Sequence, residues 1–179
     1  MNQSLVSVRY AKALFKLSEE KGILEKVYRD IQLLSDNCAS EADLCEIVHS
    51  PIIKPKKKKS FFKLVYGDTI NPITLGTLNL IVENNREEIL DYIFRNFMSF
   101  YKEKKNIKTV TFYTAIGVDS DFQNEIKGII AKELNCVVEL SVVIKPDLLG
   151  GFILKVDDKM VDASIMGKLR KVRNHLVKG

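Results

Sequence analysis

Apolar residues recur along this chain with two different periods, and the change falls near residue 105. Up to that point the spacing is helical. The first segment, roughly Ser4–Lys21, carries Leu5, Val8, Ala11 and Phe15 on one stripe and Tyr10, Ala13, Leu14 and Leu17 on a second. A helix apolar on two neighbouring faces has more surface than one core contact requires. It is either wedged in the middle of a bundle or keeps a groove for a partner helix. Gly22 stops it. A second helix is expected over Leu24–Asn37, with Leu24, Val27, Tyr28, Ile31 and Leu34 on its apolar face, and a short one over Glu41–His49, broken by Ser50-Pro51. Pro55 sits where a first helical turn tolerates proline. The helix it opens has Phe61, Phe62, Leu64 and Val65 as its apolar face and ends at Gly67. Asn71-Pro72, a cap followed by proline, starts another that runs to Glu83. Its apolar set is Ile73, Leu78, Ile81 and Val82, with Gly76 and Leu80 on a second face where another helix could approach. After Asn84-Asn85, a strongly amphipathic helix over Arg86–Lys104 carries Ile89, Leu90, Ile93, Phe94, Phe97, Met98 and Tyr101. Residues 1–105 read as a bundle of six helices, two of them short.

From Ile107 the period becomes two. Val110, Phe112, Thr114 and Ile116 alternate as a strand, and Ser120 with Gln123 forms a capping box. The helix it opens holds Phe122, Ile126, Ile129, Ile130 and Leu134, and Asn135 closes it. Val138, Leu140, Val142 and Ile144 make a second strand. Phe152, Leu154 and Val156 alternate as a third, and Asp157-Asp158 turns the chain toward Met160-Val161. Ile165, Leu169, Val172 and Leu176 then fall on one helical stripe. That terminal helix carries Lys168, Arg170, Lys171, Arg173 and Lys178 and no acid. A small sheet with helices is an independent core. The expected fold class is therefore α+β with two domains: a six-helix bundle over 1–105 and a small α/β domain over 106–179.

The length of 179 residues suits one large domain or two small ones, and 46% hydrophobic residues suffice to bury cores. The net charge of +5 is shared between the two halves, so only the last helix concentrates it. Cys38, Cys45 and Cys136 are odd in number and lack CxxC spacing, which points to a reducing compartment rather than disulfides or zinc. His49 and His175 are too far apart to suggest a metal cluster. The longest apolar runs fall far short of the ~20 residues that span a bilayer. Met1 leads into a helical pattern with no signal peptide, so a cytosolic protein is expected.

Candidate chemistry is sparse. No GxxxxGK[ST], GxSxG, HExxH or EF-hand loop occurs, and neither histidine pairs with a serine or cysteine as a nucleophile would require. Asp157, Asp158 and Asp162 fit a hairpin turn better than a cation site. Lys56-Lys57-Lys58-Lys59 is the sharpest charge run. It reads as the solvated start of a helix rather than a phosphate or lipid contact, because no aromatic or Gly-rich loop accompanies it. Catalytic, cofactor and metal residues are expected to be absent. The alternative from another class is a nucleic-acid-binding protein using Lys56–Lys59 and the basic terminal helix.

Three motifs carry a resemblance. Leu149-Gly150-Gly151-Phe152, then Val156-Asp157-Asp158-Lys159-Met160-Val161-Asp162 with Ser164 and Leu169, resembles the C-terminal signature of the delta subunit (oligomycin sensitivity-conferring protein) family of F-type ATP synthases. Ala163 and Val172 stand where that family commonly has glycine and leucine. Arg9-Tyr10-Ala11-Lys12-Ala13-Leu14-Phe15 is similar to its R-Y-A-x-A-L-F opening, and Glu83-Asn84-Asn85-Arg86 to its E-N-x-R junction. The motifs occur in the family's order and cover nearly the whole chain.

The resemblance implies a non-catalytic peripheral-stalk subunit that ties the catalytic head to the membrane-anchored b subunits and resists rotor torque during proton-driven synthesis. In that family the bundle holds the N-terminal helix of an alpha subunit between its first and fifth helices. Carried over, Tyr10, Ala13, Leu14 and Leu17 would line one wall, and Gly76 and Leu80 the other. Gly150, Gly151, Lys168, Arg170, Lys171 and Arg173 would serve the contact with the C-terminal ends of the b subunits. The expected location is peripheral, on the cytoplasmic face of a bacterial inner membrane, with membrane contact only through the complex and no nucleic-acid partner.

Overall fold

The structure, a computed structural model, describes residues 3–40, 50 and 52–178. The chain divides into two compact units, Met1–Tyr101 and Lys102–Gly179. The described elements are α1 (Gln3–Glu20), α2 (Leu24–Ser40), α3 (Pro55–Tyr66), α4 (Pro72–Glu83), a 3-10 turn (Glu87–Ile89), α5 (Leu90–Lys104), β1 (Ile107–Thr114), α6 (Ser120–Leu134), β2 (Val137–Ile144), a second 3-10 turn (Pro146–Leu148), β3 (Phe152–Val156), β4 (Lys159–Asp162) and α7 (Ile165–Lys178). Helices come first and a mixed sheet follows, an α+β arrangement. The short helix expected over Glu41–His49 lies outside the described residues.

The first unit closes around one apolar core. α5 contributes Leu90, Ile93, Phe94, Phe97 and Tyr101, spaced i, i+3, i+4, i+7 and i+11, the stripe of a helix facing a core. Val27, Ile31 and Leu34 of α2 meet it, as do Leu78, Ile81 and Val82 of α4. Phe15 packs edge-on against both Phe97 (5.9 Å) and Phe100 (6.1 Å). Tyr28 stacks on Tyr101 at 3.8 Å.

α1 is turned relative to the stripes expected from hydrophobicity. Its buried line is Ser7, Ala11, Leu14 and Ser18, while Leu5 is 63% exposed. Serine is tolerated inside because its hydroxyl finds a hydrogen-bond partner. Ser18 Oγ donates to the Leu14 carbonyl at 2.6 Å, and Asn96 Nδ2 donates to Ser7 Oγ at 3.1 Å. A hydropathy pattern counts serine as outward and so misplaces the face.

α3 differs in a similar way. Phe62 and Tyr66 face the core, but Leu64 (86% exposed) and Val65 do not. Lys58 is buried instead, its Nζ 2.8 Å from Glu87 Oε1, and Lys59 pairs with Glu83. The lysine run is thus only partly the solvated surface expected. The ends of α4 follow the sequence signals: Asn71 Oδ1 accepts from the Ile73 amide, and Asn85 takes a left-handed φ of 51° past the C-terminus.

The second unit is a four-stranded sheet in the order β2-β1-β3-β4. β1 and β2 are parallel, in register Val110↔Leu140 and Phe112↔Val142, and α6 makes the crossover that parallel neighbours need. β3 runs antiparallel to β1 (Phe112↔Leu154), and β4 folds back on β3 through Asp157, whose φ is 48°. Val110, Ile130 and Val138 form the core between sheet and α6, with Ile126, Leu140, Leu154 and Val156 around them. The N-cap of α6 is Asp119, which accepts from the Phe122 amide at 2.8 Å, rather than Ser120. Gln123 turns its side chain to the Val118 carbonyl, so the expected capping box does not form.

Candidate partner-binding surfaces

The sequence nominated a groove between the first helix and the one opening at Asn71-Pro72, which are α1 and α4. They are tied at one end, where Asn84 Nδ2 donates to the Tyr10 hydroxyl at 3.2 Å. Beside this tie, Leu17 is 39% and Leu80 48% exposed, with Ala13 also at the surface. Gly76 is open: a Cβ added there would meet nothing within 4 Å. Five of the six nominated residues are therefore at least partly accessible. Leu14 is not. At 3% exposure it belongs to the core, because the turn of α1 that buries Ser7 and Ser18 carries Leu14 inward with them.

In the second unit Lys168, Arg170 and Arg173 of α7 are exposed, whereas the side chain of Lys171 lies outside the described residues. Gly150 and Gly151 are engaged within the chain. A Cβ on Gly151 would sit 2.5 Å from the Ala163 carbonyl oxygen, and one on Gly150 would sit 2.8 Å from Ile165 Cδ1. Their φ angles of 152° and 71° are positive as well. Gly151 thus lets two stretches of backbone approach, and Gly150 makes room for the Ile165 side chain.

Sequence reasoning missed three polar arrangements. The Lys58–Glu87 pair joins the first turn of α3 to the 3-10 turn after α4, with both side chains under 10% exposed. Asp30 accepts from the Asn71 amide (2.8 Å) and from Thr74 Oγ1 (2.6 Å), placing a carboxylate at the N-terminus of α4 where the helix dipole favours it. An open depression of about 520 Å³ lies beside it, lined by Lys26, Arg29, Leu33, Thr69 and Ile70. Third, the Tyr101 hydroxyl donates to Glu25. Burial first, then this hydrogen bond, pushes the phenol up to about 12. Only the i, i+4 offset from Thr74 to Leu78 could have flagged Thr74 as inward-facing; nothing in the sequence paired Lys58 with Glu87.

Among the described residues no three His, Cys, Asp or Glu side chains come together as metal ligands, and no helix is long and apolar enough to cross a membrane. With Lys58 and Lys59 each committed to a glutamate, the lysine run is not the continuous cationic strip a nucleic acid would follow.

A helical unit leading into a mixed four-stranded sheet, with half-exposed leucines and a cationic terminal helix at its surface, defines the class as a two-unit α+β protein. The chain belongs to the ATP synthase delta (OSCP) subunit family, whose model matches residues 6–176. It is thereby a peripheral-stalk component of F-type ATP synthase. It is similar to the ATP synthase subunit delta of Parabacteroides distasonis, 31% identical over 177 residues that cover 99% of this chain and 98% of that one. The subunit delta of Cytophaga hutchinsonii is 32% identical, over 97% of this chain and 95% of its own length. Among solved structures, a chain in the cryo-EM structure of the Toxoplasma gondii mitochondrial ATP synthase hexamer shares the fold. Its TM-score is 0.79 at 22% identity, covering 96% of this chain and 97% of that one.

Proposed function

We propose that this chain is the non-catalytic tie of the stalk, holding the catalytic head stationary against rotor torque. Its helical unit takes the amphipathic N-terminal helix of an alpha subunit into the groove between α1 and α4. Its C-terminal unit, residues 102–179, joins the ends of the b subunits, with Lys168, Arg170, Lys171 and Arg173 setting register against acidic residues. The subunit sits peripherally on the cytoplasmic face of a bacterial inner membrane and reaches the bilayer only through its partners.

The observation that carries this reading is the pair of half-exposed leucines, Leu17 on α1 and Leu80 on the adjacent α4, with the bare backbone of Gly76 one turn before Leu80. A leucine buried fully by a partner contributes roughly 1.5–3 kcal/mol, so a few anchors resist release. Leu14 acts from beneath, holding α1 in place.

Calorimetric titration with a peptide of the first ~20 residues of the cognate alpha subunit tests it; a helix of that length spans about 30 Å. One-to-one binding with a negative heat-capacity change and little salt dependence is expected. Leu80→Asp should weaken that binding by about tenfold or more while leaving the thermal midpoint unchanged. An absence of binding, or a Leu80→Asp variant that unfolds, overturns the groove.

A further inference from the structure

The family signature around Gly150 and Asp162 carries a network of internal hydrogen bonds. It closes on itself. Asp162 Oδ1 accepts from both the amide (2.9 Å) and the hydroxyl (2.6 Å) of Ser164, and Ser164 Oγ in turn accepts from the Gly167 amide at 2.9 Å. Ser164 is 1% exposed. One carboxylate thus orients a hydroxyl that caps the first turn of α7. Backbone bonds continue the β3–β4 ladder past the strands: the Ala163 amide donates to the Phe152 carbonyl (2.9 Å) and the Ile165 amide to that of Gly150 (3.0 Å). Three consecutive residues, Leu149, Gly150 and Gly151, take positive φ to bring the chain there, and a leucine at φ 60° is strained. Gly167 completes the fit, since a Cβ on it would lie 2.5 Å from Asp162 Oδ2 and 2.6 Å from Oδ1.

We propose that Asp162, Ser164 and Gly167, with Gly150-Gly151, form a latch that fixes the base of α7 to the β3–β4 hairpin and so sets the direction in which this cationic helix meets a partner. These are positioning residues. The consequence for binding rests on the assignment of α7 to the b contact; the latch itself rests on geometry alone.

The geometry predicts a specific non-additivity. Asp162→Ala removes the acceptor. Gly167→Ala forces the same carboxylate out of place, so both break one device. Once Asp162 is alanine, the three atoms nearest the new Cβ are gone, and alanine favours the helix. Amide exchange on the full chain is the measurement. Each single variant should speed exchange of the Gly167, Lys168 and Leu169 amides roughly two- to thirtyfold, the range for loss of a cap, with Val110 and Leu140 in the sheet unchanged. The double variant should exchange no faster than Asp162→Ala alone. Losses that multiply, or unchanged α7 exchange in either single variant, overturn the latch. Binding to the cognate b subunit's soluble domain is read in parallel. Weakened binding in the single variants supports the positioning role, and unchanged binding with loosened α7 overturns it. If the unaltered chain does not bind that domain, the b assignment falls while the exchange result still decides the latch.

Discussion

Replacing Lys58 by methionine would strand a carboxylate inside the helical unit. Lys58 Nζ lies 2.8 Å from Glu87 Oε1, with side chains 4% and 9% exposed. At that separation the attraction is about 6 kcal/mol for an effective dielectric of 20. Desolvating two ions costs several kcal/mol each, so the intact pair contributes little net stability. Losing one partner leaves the cost without the attraction, about 3–5 kcal/mol. Lys58→Met and Glu87→Met should each lower the urea midpoint by that equivalent. The double variant, which fills the same space without charge, should recover most of the loss or exceed the parent. Lys57→Gln is the control: that lysine is exposed and should stay within about 0.5 kcal/mol. Equilibrium unfolding in urea, followed by circular dichroism at constant salt, gives all four values. If Lys58→Met matches Lys57→Gln, or if the double variant loses the sum of the singles, the two residues are not a coupled buried pair.

Tyr101 predicts an alkaline limit on stability. Its phenol is pushed up from 10.0 to about 12, so the fold favours the neutral form. That contribution is whole below pH 10 and is lost as pH rises through 12. Tyr101→Phe should flatten the stability profile over this window in pH-dependent urea unfolding. Asp30→Ala leaves the Asn71 amide and the buried Thr74 hydroxyl without their acceptor. It should cost about 1–3 kcal/mol by thermal denaturation, and Asp30→Asn less. The turn of α1 is tested by Leu5→Ala, expected within about 0.5 kcal/mol, against Leu14→Ala at about 2–5 kcal/mol; equal costs would restore the hydropathy stripe.

Local signals in the chain determined its elements. Asn71-Pro72, Asn84-Asn85, Asn135 and Asp157-Asp158 act through backbone conformation and nearest neighbours, so their effect is written within a few residues. The change of period from helix to strand near residue 105 is local in the same sense, as are the three motifs of the delta family. Tertiary structure decided what the elements face. Ser7 and Ser18 are buried because Asn96 and the Leu14 carbonyl satisfy them, and that turns Leu14 from groove wall to core. Lys58 is buried because Glu87, 29 residues away, is there to meet it. Gly150 and Gly151 are needed because Ala163 and Ile165 come close. Except for Ser18, whose acceptor lies one turn back, the partner is distant in sequence, and a polar or small residue goes inside only when such a partner exists.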